Sequence, residues 1–333
     1  MRAVVCVPGG TELAELPDPV PAPDGVVVAV DACGLCGSDV HMVEHGRAVP
    51  GQVLGHEFAG RIVAVGRDAG RWRIGQPVAV NPLGGCGSCQ PCRRQLPFRC
   101  QALPNLGLTA PGAYAEYVAV PQAQLVALPA EVEPEVGAHA EPLAVALRAV
   151  RLGRPVPGEP ALVYGVGSIG LNVIMALRLA GAGTIVAVGR SAGRRAAAEA
   201  LGADVVLDSR VTPPAEYAAE HGLAFGTAYE CSAAVGALAE TVAVLAPGGV
   251  AVQVALNSAP ESLDARGLVG RGLTVVGSCA FDADDYAQAV GHLLAGRIDG
   301  AALVSERVAL AEVPETLVRL RRPGDLVRVL VRP

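Results

Sequence analysis

Ala161-Leu162-Val163-Tyr164-Gly165-Val166-Gly167-Ser168-Ile169-Gly170 decides the fold. Its first four residues read as a buried strand, a glycine-rich turn follows, and Leu171 to Ala180 continues as an apolar helical run before the strand-like Thr184 to Val188. A lone G-x-G-x-x-G is a weak signal, but here it lies between a strand and a helix, which is the context that gives it meaning. Gly165 permits the tight turn, Gly167 lets a pyrophosphate approach the backbone, and Gly170 lets the helix pack on the strand. Ser168 and Ile169 lie in the turn as further cofactor-binding candidates, and the phosphates then meet the helix N-terminus, where free N–H groups and the dipole favour an anion. The bland alternative is a glycine-rich turn with a purely structural role.

The end of the next strand bears on which dinucleotide binds. An NAD site usually carries Asp or Glu there, about 20 residues on, for the adenosine ribose. Here the position holds Gly189, followed by Arg190, Ser191 and, further on, Arg194 and Arg195. Without a carboxylate there is no repulsion of a 2′-phosphate; the small Gly189 leaves room for it and Arg190 can pair with it. Arg194 is a further candidate, or equally a solvated surface charge. The pattern favours NADP over NAD.

Around this turn, strand-like and helix-like runs alternate to about residue 280, the pattern of βαβ units in a parallel sheet. They include Asp204 to Asp208, Thr227 to Cys231, a helix from Val235 to Leu245 and Val250 to Val254. The region before about residue 130 is different. Short β-rich runs (Val26 to Val30, Arg61 to Gly66, Val78 to Val80, Tyr114 to Val120) are broken by Pro and Gly, which predicts a small barrel or sandwich. One helix is expected over Glu135 to Leu152. Two more, Asp284 to Ala295 and Leu310 to Arg321, precede a strand over Leu326 to Val331.

Two side-chain clusters carry the chemistry of the first region. Cys86, Cys89, Cys92 and Cys100 give C-x2-C-x2-C-x7-C, four thiolates able to enclose one tetrahedral zinc in a closed, structural site; an iron–sulfur cluster is the rival occupant. The second cluster lies between Cys33 and Glu57. Cys36, His56 and Glu57 offer a thiolate, an imidazole and a carboxylate, enough to hold a catalytic zinc and leave a position open. Ser38 and His41 beside them offer a hydroxyl and a possible proton exit. Cys33-Gly-Leu-Cys36 also reads as a redox pair, although no βαβ context surrounds it.

The 333 residues suggest about two domains, and with 51% apolar residues they can bury substantial cores. A net charge of −6 and a pI near 5.6 argue against nucleic acid or an anionic membrane surface as a partner. No apolar run approaches the roughly 20 residues a bilayer span needs, and the first residues are too short in their apolar part for a signal peptide. The expected compartment is the cytoplasm. Nine cysteines in such a chain suggest metal ligands and free thiols rather than disulfides.

Together these motifs resemble the zinc-dependent medium-chain dehydrogenase/reductase family, in its polyol, threonine and butanediol dehydrogenase branch. The resemblance spans essentially the whole chain and rests on Gly34 to His41, Gly55-His56-Glu57, the four-cysteine lobe, Glu141-Pro142-Leu143 and Gly165 to Gly170. It implies a GroES-like β-barrel catalytic domain (1–147), an inserted Rossmann domain with a doubly wound parallel sheet (148–282) and a C-terminal return to the first domain (283–333). It further implies Cys36, His56, Glu57 and Glu141 around a catalytic zinc, and a homodimer or homotetramer. The implied activity is hydride transfer between NADP(H) and a secondary alcohol or ketone of a polyol, sugar or cyclitol. In the family pattern Ser38 takes the hydroxyl proton and His41 passes it to solvent. Two other readings remain. A reductase of activated C=C bonds is disfavoured by the intact zinc set, and a non-catalytic NADPH-binding protein by the intact Ser38 and His41.

Overall fold

The computed structural model describes every residue except Ser258 and Pro323. The chain divides into two compact units, Met1–Glu141 with Phe281–Pro333, and Pro142–Ala280.

The first unit begins with the hairpin β1 (Arg2–Val7) and β2 (Gly10–Glu15). Next comes β3 (Gly25–Gly34), whose valines at 26, 27, 28 and 30 are all buried. Such β-branched residues suit a pleated, enclosed strand. Helix α1 (Gly37–Glu44) follows directly, and then β4 (Glu57–Val65), β5 (Pro77–Val80), the short helix α2 (Gln90–Arg93), β6 (Tyr117–Pro121) and β7 (Leu125–Ala127). Instead of one helix over Glu135 to Leu152 there are two, α3 (Pro134–Ala138) and α4 (Ala140–Gly153), with His139 closing the first.

The second unit is a six-stranded parallel sheet. Its strands are β8 (Ala161–Tyr164), β9 (Ile185–Gly189), β10 (Val205–Asp208), β11 (Phe225–Glu230), β12 (Leu245–Gln253) and β13 (Thr274–Gly277). They lie in the order β10-β9-β8-β11-β12-β13. This is the doubly wound order, which reverses direction between β8 and β11, and ligands bind beyond the carboxyl ends of the strands at that point. The helices between the strands are α5 (Ser168–Leu179), α6 (Ala192–Ala200), α7 (Pro214–Glu220), α8 (Ala237–Ala243) and α9 (Ala265–Arg271). Leu162, Val186, Val188, Phe225 and Ala251 form the core of this unit.

The chain then returns to the first unit through α10 (Ala283–Leu294), β14 (Val304–Ala309), α11 (Val313–Arg319) and β15 (Arg328–Arg332). The helix expected over Leu310 to Arg321 is shorter because Leu310–Glu312 is a 3-10 turn. Strand β15 inserts between β14 and β3, and completes the sheet β14-β15-β3-β4-β5-β7, with β6 paired to β3. This is the GroES-like unit. Val26, Val28, Phe58, Ile62, Val78, Val118, Val329 and Val331 share its core.

Candidate active site

In the first unit, one donor atom from each of Cys36, His56 and Glu57 lies within 4.8 Å of the other two. Backbone register makes this meeting. Cys36 stands just past β3 as the N-cap of α1, and Glu57 opens β4 directly opposite Gly34, the last residue of β3. A side chain at position 34 would collide with the Glu57 carboxylate and the Arg328 guanidinium, so a glycine is needed there.

Three further side chains hold these donors. Asp39, fully buried on α1, places Oδ1 3.3 Å from His56 Nδ1, and Tyr114 Oη donates to its Oδ2 at 2.5 Å. This carboxylate orients the imidazole and leaves Nε2 for a metal. Arg328, at the start of β15, donates to Glu57 Oε2 at 2.5 Å and to the Ala138 carbonyl at 2.9 Å. Its side chain and that of Glu57 are 2% and 4% exposed, making this a buried ion pair. Ser38 Oγ lies 3.5 Å from His56 Nε2. His41, three residues further along α1, is half-buried and its ring centroid lies 4.0 Å from that of His45. Glu141 is buried near the start of α4 but is not one of the three clustered donors.

The sulfurs of Cys86, Cys89, Cys92 and Cys100 also lie within 4.8 Å of one another. Backbone N–H groups point at them: Cys89 N to Cys86 Sγ, and Ala102 N and Leu103 N to Cys100 Sγ, each 3.4 Å. Hydrogen bonds from Ser88 and from the Cys89 N–H bring the Cys86 thiol down to about 5, while burial and Cys89 push Cys92 up to about 12. Thiolates held by amides are what a tetrahedral metal site needs.

In the second unit, Gly165 has φ +105° and its N–H donates to the Val188 carbonyl, and Gly170 packs against the Gly165 carbonyl, so both turn glycines are required by the backbone. Gly167 caps α5, which Ser168 and Ile169 open. A Cβ at Gly167 would lie 4.0 Å from Arg194 Nη1, which places that guanidinium beside the glycine turn. Ser191 caps α6 by accepting from Arg194 N. Arg190 is exposed. Gly189 proves to have a packing reason as well, since a Cβ there would strike the Val166 side chain. The fully buried Glu230 accepts from Ser232 N, Ser232 Oγ and Ala233 N, fixing the loop that packs on Gly165.

Two family models match this chain: the alcohol dehydrogenase GroES-like domain over residues 22–130 and the zinc-binding dehydrogenase over residues 168–295. An L-threonine 3-dehydrogenase of Saccharopolyspora erythraea is 33% identical over 305 residues, 90% of this chain and 89% of that protein. The chain belongs to the zinc-binding alcohol dehydrogenase family. A scyllo-inosose 3-dehydrogenase of Thermotoga maritima is also 33% identical, over 347 residues, covering 95% of this chain and 88% of that one. Among solved structures, a zinc-binding dehydrogenase from Sinorhizobium meliloti bound to NADP superposes with a TM-score of 0.93 at 29% identity, covering 100% of this chain and 99% of that one. This member of the family is thus a zinc-dependent alcohol or polyol dehydrogenase that works with a nicotinamide cofactor.

The charges of the family's metal pocket fit a divalent cation in this chain. Asp39 and Glu57 are buried carboxyls that act on the Cys36 thiol and on the buried Glu141 carboxyl, and His56 and Arg328 oppose them at Glu141. Burial pushes the Glu141 carboxyl up to about 8, with Glu57 and Asp39 adding to the rise and His56 and Arg328 opposing it. Burial pulls the His56 imidazole down, but Asp39 and Cys36 outweigh it and hold it well above the usual range. Both shifts have the same linkage sign. Each group binds its proton more tightly in the folded state, so its contribution is fully present below the unfolded pKa and is lost as pH rises to the folded one. Zinc-stripped enzyme is therefore expected to lose thermal stability between about pH 4.5 and 8, the span set by Glu141. Glu141→Gln should flatten that slope. A melting temperature independent of pH across the window, in the stripped wild type, would overturn this assignment.

Asp39, Tyr114, Arg328 and Glu230 had not been singled out from the sequence. Asp39 lies inside the quoted Gly34 to His41 motif and was the one open to notice. Arg328 carried no local signal at all.

Proposed function

We propose that this dehydrogenase transfers a hydride between NADP(H) and a secondary alcohol or ketone of a polyol, sugar or cyclitol. The observation that carries the reading is the convergence of Cys36, His56 and Glu57, with Asp39 behind the imidazole and the Ser38 hydroxyl beside it. Cys36, His56 and Glu57 would hold the catalytic zinc, with the Glu141 carboxyl as a further candidate, and Cys86, Cys89, Cys92 and Cys100 would hold a second, structural zinc. When bound, the catalytic zinc supplies a Lewis acid for the substrate oxygen and the nicotinamide supplies the hydride acceptor.

The remaining work falls to the chain's own side chains. Ser38 Oγ, next to the donor atoms, takes the proton of the substrate hydroxyl. His41 lies three residues further along α1 and, like Ser38, is half-buried. Burial, together with the His45 and Arg47 charges, keeps its pKa below the ordinary histidine value, which favours the neutral imidazole that can accept the proton before releasing it to water. The glycine turn Gly165 to Gly170 would seat the pyrophosphate, with Arg194 beside it. Gly189, Arg190 and Ser191 would receive the adenosine end, and the preference for NADP rests on the cations gathered there. The relative named for scyllo-inosose supports a cyclitol or polyol, whereas the relative named for threonine offers a competing substrate.

Initial rates test the reading, with NADP and with NAD, against sorbitol, xylitol, inositols, butanediol, threonine and simple secondary alcohols. The expected result is turnover of a polyol or cyclitol that favours NADP and stops on zinc chelation. Turnover confined to threonine would overturn the substrate class, and a preference for NAD would overturn the cofactor assignment.

A further inference from the structure

We propose that Asp208 and Arg210, from the end of β10, complete with Arg190 and Arg195 a clamp for a phosphomonoester, and that Arg210 is a specificity-determining residue for the 2′-phosphate of NADP. The proposal rests on the NADP reading above and adds residues from a strand that reading does not use.

The register of the sheet brings these residues together. Asp208, the last residue of β10, is the partner of Gly189, the last residue of β9. Both therefore stand at the carboxyl edge of the sheet, where ligands bind. Asp208 Oδ1 accepts from Arg210 N at 3.0 Å and Arg210 Nε at 2.9 Å, and Oδ2 accepts from Arg210 Nη2 at 2.6 Å and Arg195 Nη1 at 2.8 Å. The same two guanidiniums also reach the Arg190 carbonyl, Arg195 Nη1 at 2.8 Å and Arg210 Nη2 at 3.0 Å. Arg195 and Arg210 thus grip the backbone that leads out of Gly189. The Arg190 side chain is exposed, and among the described residues its guanidinium makes no hydrogen bond or ion pair, which leaves its donors open to a ligand.

Charge and exposure point to an anion. Three arginines and one aspartate carry a net charge of +2, which matches a phosphomonoester of nearly two negative charges at neutral pH. The Arg210 side chain is 63% exposed and that of Asp208 16%. Ion pairs this exposed add little to folding stability, so the cluster calls for another explanation. Arg210 spends its Nε and Nη2 on Asp208 and Arg190, and this fixes the plane of the guanidinium. A fixed guanidinium loses less freedom on meeting a phosphate than a free one. In this arrangement Asp208 is a positioning residue. It cancels one charge but holds two cations at the site.

The test compares 2′,5′-ADP with 5′-AMP, as competitive inhibitors and by calorimetry, on the full-length zinc-loaded enzyme and its variants. Wild type is expected to bind 2′,5′-ADP at least about 10-fold more tightly, the size of one charge-assisted contact. Arg210→Gln should reduce that preference about 10-fold, and the loss should fall on KM for NADP. Asp208→Asn is the sharper case, because it makes the cluster more positive. The clamp predicts that it weakens 2′,5′-ADP binding, since the guanidiniums are released. Tighter binding would show that Asp208 only repels the phosphate, and would overturn the positioning role. A wild-type preference that Arg190→Gln abolishes and Arg210→Gln leaves intact would overturn the role of Arg210 while the NADP reading stands. No wild-type preference at all would sink the NADP reading itself.

Discussion

Cys36→Ser is expected to lower kcat/KM by more than about 100-fold and to remove one zinc per chain while leaving the other in place. Loss of an outer-shell partner alone typically costs 10- to 100-fold in affinity or activity, and loss of a thiolate ligand costs more. Cys36 is the only sulfur among the three clustered donors, and the carboxylates around it cannot supply its soft contact with zinc. The four-cysteine lobe shares no residue with this cluster, so its zinc should remain. Elemental analysis read beside initial rates checks both halves. A Cys36→Ser enzyme that keeps two zincs and its turnover would remove Cys36 from the metal site.

Arg328→Met should destabilise the protein by about 3–5 kcal/mol, the usual cost of leaving one member of a buried ion pair without its partner. With the pair almost wholly enclosed, water cannot replace the guanidinium. For a unit of this size, that loss corresponds to a fall in Tm on the order of 10 °C. The deficit should be relieved in the double variant that also carries Glu57→Gln, because the unpaired carboxylate is then gone. Thermal melts of the wild type and the two variants would decide it. An Arg328→Met protein that melts like wild type would mean that Glu57 needs no counter-charge.

The features legible in the sequence were those whose signal is local. The C-x2-C-x2-C-x7-C spacing was readable because only eleven residues separate the four sulfurs, which keeps them within reach of one centre. The glycine turn was readable because a strand and a helix flank it on either side. The site residues that escaped are those set by register between distant strands. Arg328 reaches Glu57 only because β15 pairs with β3 beside β4, and Arg210 reaches the Arg190 carbonyl only because β10 lies next to β9. Gly189 teaches a different lesson. Its small size read as space for a ligand, yet Val166 already fills the volume a side chain would take. Helix limits shifted where local chemistry competed with periodicity, as at His139 between α3 and α4.

The late arrival of Arg328 also sets an order of events on the ribosome. Glu57 is translated 271 residues ahead of its partner. At roughly 5–20 residues per second, the nascent chain carries that carboxylate uncompensated for about 15 to 50 s. During this interval the whole six-stranded sheet is synthesised. The interrupted unit can therefore close its buried ion pair only after all of the inserted one has been made.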